Sequence, residues 1–481
     1  MGHSGLSTAK KSLATTSHNI SNANTEGYSR QRVEQRSNPP VGYGNYVLGT
    51  GVTVRSVKRI HDQLIESRLN TNITQHKYHD ERSFQLGLVE NIYNEIDSEG
   101  LANVLNRFFN SFRELANNPE DETVRSVVRE NAKVVISDIK GIRANLNNVS
   151  SDIDRKLKSS VNDVNNILYN ISKLNVKIAE LETLNGETGD LRDQRDLAVR
   201  TLSEFFDVHT YHDDRNNYVI SAKGVGTLLT GSQVQELTTV QRSPEGDVEA
   251  FEPKLDISFK SKPDLQLGKQ FKGGILQAIV ETRDTNVSRL QEHIDTMAFD
   301  LANMVNAIHR KGFANKEMPT DANGNPMPHM AREQVTGIDF FKTPTSKHRA
   351  AEYLELSAPV KDDLRNIVTA YTPNAPGDNR IALAISKLQH TKFLAEGTTT
   401  LEEFYLQGIG DIAVNAGKAK IDASHSEGVL AQTKAVKERI SGVNLDEETA
   451  NMVRFQHAYD ASARVMKTSN EVFKSVLGLI G

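Results

Sequence analysis

Cysteine is absent from all 481 residues. That excludes disulfides, cysteine zinc sites and thiol nucleophiles together. Aromatic residues are scarce at 6%, and hydrophobic residues make up only 37%. This is lean for a compact enzyme of such length; it suits long, thin helical layers with much surface in water. Neither sign of charge dominates: 57 Lys and Arg stand against 62 Asp and Glu, for a net −5. No field of one sign would draw in nucleic acid or an anionic membrane. No apolar run is long enough to span a bilayer, and no apolar h-region follows Met1. Neither membrane insertion nor a secretory signal is therefore expected. Gly-x-Ser-x-Gly, Walker-type and Gly-x-Gly-x-x-Gly loops are also missing. Without a nucleophile elbow or a phosphate cradle, the chain reads as a non-enzyme with no cofactor.

The two ends carry the clearest pattern. Leu6, Leu13 and Ile20 are seven apart, with Ala9, Thr16 and Ala23 between them. At the far end Met452, Tyr459, Met466, Phe473 and Ile480 repeat by seven, interleaved with Phe455, Ser462, Ser469 and Val476. A heptad repeat of this kind predicts a helix–helix seam at each terminus. Termini are normally where order is lost. A chain that places its interaction surfaces there is built to assemble through them. An ordinary intramolecular bundle is the plainer reading of the same stripes.

Between the ends, helix dominates. Residues 4–24 read as an amphipathic helix stopped before Gly27, which suits a left-handed turn. Residues 38–58 read as short β or loop. Leu101, Val104, Leu105, Phe108, Phe109, Phe112 and Leu115 share one helical face, and Asn117-Asn118-Pro119 ends that helix. From about Glu122 a longer one follows, with apolar residues from Ile139 to Leu181 in steps of three and four. Roughly 60 residues of helix span about 90 Å, a rod that no compact globule needs. Residues 205–268 change character: Tyr218 and Ile220 alternate, as do Leu255, Ile257 and Phe259, with Pro244-Glu245-Gly246-Asp247 as a turn. Helical spacing returns from Val287 to Ile308, and residues 312–375 read as loop and strand with a turn at Ala322–Pro326. Helix resumes near Asn379. Thr400-Leu401-Glu402-Glu403 predicts a capping box, and Asn444 a cap followed by acidic Asp446, Glu447 and Glu448.

Few groups suggest chemistry. His76 and His79, and His209 and His212, are each three apart, but no third ligand sits at fixed spacing, so surface or packing roles are expected. Asp321–Asn325 lacks the closing Glu of a calcium loop and reads as a turn. The cluster Asp190, Arg192, Asp193, Arg195 and Asp196 reads either as a hydrated interdomain helix or as a salt-bridged joint holding the β insertion against the rod. Asn19, Asn22, Arg454 and Arg464 flank the terminal seams and are candidates for polar contacts between subunits.

Two stretches point to a family. His18-Asn19-Ile20-Ser21-Asn22-Ala23-Asn24-Thr25-Glu26-Gly27-Tyr28-Ser29-Arg30-Gln31 resembles the N-terminal motif of bacterial flagellar axial proteins. Its Gly27–Gln31 extension looks like the hook-associated branch. Ser441–Met452, running on through Gln456, Ala458-Tyr459 and Ala461–Val465, is similar to the C-terminal signature of the hook-associated protein one (FlgK) family. Gly189–Asp196 and Pro376-Gly377-Asp378-Asn379 match more weakly, in the same order. The resemblance favours the salt-bridged joint for the cluster within Gly189–Asp196. The family usually has Pro where this chain has Glu26.

The resemblance implies a structural adaptor forming a ring at the hook–filament junction, with no catalysis. It implies secretion by flagellar type III export, with a FlgN-type chaperone in the cytoplasm. It also implies contacts with the hook protein and a FlgL-type hook-associated protein. The expected fold is mainly α with a β-rich insertion. Residues 1–36 and 441–481 would form an inner coiled-coil domain. Residues 37–204, 269–312 and 376–440 would form a long-helix rod, and 205–268 with 313–375 a small β-rich outer domain. The assembly interface is expected at Leu6, Leu13, Ile20, Met452, Phe455, Tyr459, Met466, Phe473 and Val476. A hook or distal rod subunit is the nearest rival reading, and a flagellum-associated hydrolase a more distant one.

Overall fold

The computed structural model describes residues 1–43, 46–93, 100–184, 186–242, 254–319, 321, 323, 327 and 335–478. The predicted turn at Pro244–Asp247, most of that at Ala322–Pro326, and Ile480 lie outside the described residues.

Helix α1 (Gly2–Ser21) leads into a hairpin arm of β1 (Gln31–Ser37), β2 (Val41–Tyr43), β3 (Tyr46–Leu48) and β4 (Val52–Arg59). Strands β1 and β4 pair antiparallel, with a bulge at Glu34/Gln35. Gly27 takes φ +84 in the turn between α1 and the arm, as expected of a residue without a Cβ. The arm begins at Gln31, earlier than its composition suggests, because Arg and Gln dominate its first strand.

Four long helices follow: α2 (Gln63–Ile92), α3 (Leu101–Asn117), α4 (Glu122–Thr183) and α5 (Gly189–Ser203). All seven apolar residues predicted on one face of α3 are buried. Helix α4 runs 62 residues, about 93 Å, and starts at Glu122, where Asp121 accepts from Thr123 N–H. Ile139, Leu146, Ile153, Leu157, Val161, Val164, Leu168 and Ile171 line its buried side. Chain to residue 312 adds α6 (Gly274–Glu281), one π-helical turn, and α7 (Ser288–His309). The largest hydrophobic cluster among the described residues runs through α3, α4 and α7 and continues under the strands.

The insertion after α5 is β-rich, as its alternation predicts. Strands β5 (Val208–His212), β6 (Tyr218–Ala222), β7 (Gly226–Thr230) and β8 (Gln233–Val234) form one antiparallel sheet in chain order. A second pair joins β9 (Leu237–Arg242) to β10 (Lys254–Phe259). Arg283, buried in the π-helical turn, anchors this pair: it bonds Asp154 on α4 and donates to the Leu255 carbonyl at 2.6 Å.

Residues 335–375 depart from expectation. They hold only isolated bridges, α8 (Ala350–Tyr353), α9 (Ala358–Asp362) and a 3₁₀ turn. Lacking a ladder, their backbone is satisfied by helix side chains. Asn306 Oδ1 accepts from Phe340 and Phe341 N–H, both at 2.9 Å, and its amide donates to Phe341 O at 2.8 Å. Asp295, paired with Arg143, accepts from Arg349 and Ala351 N–H at 3.1 Å. Fully buried Arg125 donates to Pro119 O and Ile367 O, and burial lowers its guanidinium to about 10. Phe340 and Phe341 thereby reach the α3 core, with Phe340 5.4 Å from Phe112.

The chain closes with α10 (Arg380–Lys387), α11 (Leu401–Ser441) and α12 (Leu445–Leu477). The capping box at Thr400 and Glu403 forms as predicted, and Asn444 caps α12 through Asp446 and Glu447 N–H. Helix α11 lies along α2, and α12 returns to α1.

Candidate assembly interface

Helices α1 and α12 pack antiparallel. A Cβ on Gly2 would fall 2.9 Å from Met466 Cγ, and one on Gly5 2.8 Å from Ser462 Oγ. Both glycines permit this close approach, and a Cβ at either would oblige the Met466 or Ser462 side chain to move. Thr8, Ala9, Ser12, Thr15, Thr16 and Asn19 form the buried face of α1. Leu6, Leu13 and Ile20 sit half-buried at its edge. Counting by seven finds the helix but not its centre: the inward face is small and polar, and the larger residues lie part of a turn away.

On α12 the exposure rises toward the C-terminus. Met452, Phe455, Tyr459 and Ser462 are half-buried. Met466 is 40% exposed, Val476 47% and Phe473 62%. Among the described residues, α12 extends past the point where Gly2 meets Met466, so its last turns show apolar side chains to solvent.

A polar lock fixes the start of α12. Asn19 Nδ2 donates to Glu448 Oε2 at 3.0 Å and to Gln31 O at 2.9 Å. Its Oδ1 accepts from Gln31 N–H at 2.9 Å and from Tyr28 OH at 2.7 Å. The amide's donors and acceptor are spent within the chain. Glu448, 2% exposed, also takes Arg30 Nε at 2.8 Å, while Arg30 reaches Glu447 at 2.8 Å. Burial alone would lower the Arg30 pKa, but its bonds to Glu447 and Glu448 raise it, so the cation stays charged. Burial first, then Asp190, Asp193 and Glu448, raise the Tyr28 phenol and keep it protonated.

The acidic cluster on α5 continues this lock. Asp193 accepts from Ser29 N–H and from Arg59, both at 2.9 Å, and Asp196 takes Arg59 at 2.6 Å. Asp190 bonds His18 at 3.2 Å and Gln31 at 2.7 Å. Toward the β insertion, Arg195 stacks its guanidinium 3.7 Å from the Tyr218 ring centroid. A salt-bridged joint forms, but not the predicted one: its bonds tie α5 mainly to α1 and the segment after it, rather than the β insertion to the rod. The cause is chain geometry: the turn Thr25–Arg30 packs on α5, bringing backbone N–H groups that need acceptors.

The remaining polar candidates sit apart. Asn22 donates to His18 O at 3.0 Å and is half-buried. Arg454 is exposed and stacks over Phe455 at 4.9 Å. Arg464 is exposed beside Phe473. His76 bonds Ser426, and His212 packs edge-on to Tyr218. No cluster of three metal-ligating side chains occurs among the described residues. Sequence reasoning passed over Arg30, Glu448 and Arg59 as site residues. The signal was present, since Asn19, Tyr28, Ser29, Arg30 and Gln31 all belong to the N-terminal motif.

Residues 86–326 match the family "Flagellar hook-associated protein FlgK helical domain". Residues 1–28 match "Flagella basal body rod protein", and 439–479 "Flagellar basal body rod FlgEFG protein C-terminal". Flagellar hook-associated protein 1 of Bacillus subtilis is 30% identical, over 99% of this chain and 96% of that protein. This chain belongs to the flagellar hook-associated protein 1 family. The Escherichia coli member is 26% identical over 99% of the chain and 98% of its own length. A solved structure, the flagellar hook junction protein FlgK from Burkholderia pseudomallei, shares the fold: TM-score 0.63, 17% identity, covering 78% of this chain and all of that one. The family is structural, its place is the flagellum, and the mainly α fold with a β-rich insertion agrees with it. No described helix is long and apolar enough to cross a membrane.

Proposed function

We propose that this chain is the ring-forming adaptor between hook and filament, acting by packing alone and without catalysis. The observation that carries this is the α1–α12 pair: clamped at Asn19, Arg30 and Glu448, yet showing Met466, Phe473 and Val476 to solvent. A monomer gains nothing from holding such a face in water, whereas burying each large side chain against a neighbouring copy contributes roughly 1.5–3 kcal/mol.

In this reading residues 1–36 and 441–481 form the inner domain around the export channel, with Leu6, Leu13, Ile20, Met452, Phe455 and Tyr459 at contacts between copies. The long helices form the surrounding layer, and the β-rich insertion faces outward. The hook protein binds on one side and a FlgL-type protein on the other. A FlgN-type chaperone holds residues 441–481 in the cytoplasm before export.

Electron microscopy of a strain lacking this chain tests the reading. Hooks without filaments are expected, and full-length filaments would overturn it. Tyr459→Asp should leave the long helices folded and remove the chain from the junction. Deleting residues 441–481 should abolish chaperone binding, and unchanged binding would refute that assignment.

A further inference from the structure

An open groove of about 1530 Å³ lies between α1, the β1–β4 arm and α12. Phe455 and Ala458 supply an apolar patch in it, and Arg32, Arg36, Arg55 and Arg454 a cationic rim. Arg32, Arg36 and Arg454 form no ion pair with any described residue and are exposed. A chain of net −5 thus concentrates unspent positive charge on one concave face. That pattern fits an acidic segment with an apolar anchor.

The chain presents such a segment elsewhere. The last turn of α4 carries exposed Glu180, which forms no ion pair with any described residue, and Glu182, which pairs with Arg192; Leu184 beyond it is 78% exposed, with Glu187 close by. This tip is tied to Lys11 by Glu187, whereas Thr8, Ser12, Thr15 and Thr16 line the groove. Lys11, three residues from Thr8 and four from Thr15, sits at the edge of that lining. None of the described residues in 180–187 lines the groove, so a copy's own tip does not fill it.

We propose that the α4 tip of a second copy docks in this groove, with Leu184 against Phe455 and Ala458 and Glu180 facing Arg32, Arg36 and Arg454. Two unlike patches on one subunit make a head-to-tail contact, which closes a ring when the rotation allows. The inference rests on the ring reading given above and names its lateral contact.

The absence of native cysteine makes the test clean. Leu184→Cys and Ala458→Cys are combined in one chain, and isolated hook–filament junctions are oxidised with copper–phenanthroline. A covalent ladder of dimers and larger species is expected, requiring both cysteines. Leu184→Cys with Arg32→Cys is read the same way, in case the first pair assembles poorly. Arg454→Glu should lower incorporation about tenfold, with recovery on adding Glu180→Arg. No ladder from either pair, with the chain present at the junction, overturns the docking and leaves the ring reading standing. Adducts to a different axial protein overturn the choice of a second copy. Absence of the unmodified chain from junctions overturns both.

Discussion

His309 Nε2 accepts the Val368 N–H at 3.0 Å, while its Nδ1 donates to Ile338 O at 2.7 Å. The ring is fully buried and bridges two strands of loop that have no ladder of their own. Both bonds require the neutral imidazole with its proton on Nδ1.

Acid should loosen this region first. Burial pushes His309 down to about 4 from its ordinary 6.5. Between those values the unfolded chain binds the proton and the folded one does not, so stability falls as pH drops from 6.5 to 4. The loss amounts to about 3 kcal/mol across that window. Urea midpoints at successive pH values should show this slope. His309→Gln should be less stable at pH 7 and should lose much of the slope.

Asn19→Ala should release α12. It strands the Gln31 N–H and removes one of the bonds on buried Glu448, at about 1–3 kcal/mol per unsatisfied group. Amide exchange should show residues 445–460 losing protection at least tenfold, with α3 and α4 unchanged. Equal protection along α12 in both proteins would mean that the lock contributes little.

Gly5→Ala should destabilise despite alanine's better helix propensity of about 1 kcal/mol. The new methyl meets Ser462 Oγ at 2.8 Å. Adding Ser462→Ala should recover most of the loss, a coupling that a double-mutant cycle by thermal unfolding would measure.

Phe473→Ser should leave the melting temperature of the isolated chain unchanged, since exposed positions shift stability by about 0.5 kcal/mol or less. Incorporation into junctions, followed by immunoblot of purified flagella, should fall severely.

Helices α3 and α4 were legible because their apolar residues keep helical spacing over a continuous core. Helix α2 was not: Glu66, Thr74, Glu81 and Gln85 are among its buried residues. Glu66 pairs with Arg200 and Glu81 with Lys156, so the inward face reads as polar until the partners are seen. The same holds for the seam of α1, where Ser12, Thr16 and Asn19 do the packing. Residues 335–375 carry no periodicity because their backbone partners are Asp295, Asn306, His309 and Arg125, contributed by distant helices.

The pairing of Asn19 with Glu448 spans 429 positions. A polypeptide is made from its amino end, so α1 is complete long before its mate exists. A fragment broken off or stalled anywhere ahead of residue 448 has no carboxylate to offer, and its first helix stays unclasped. Closure of the two ends thus reports that synthesis has passed the start of α12.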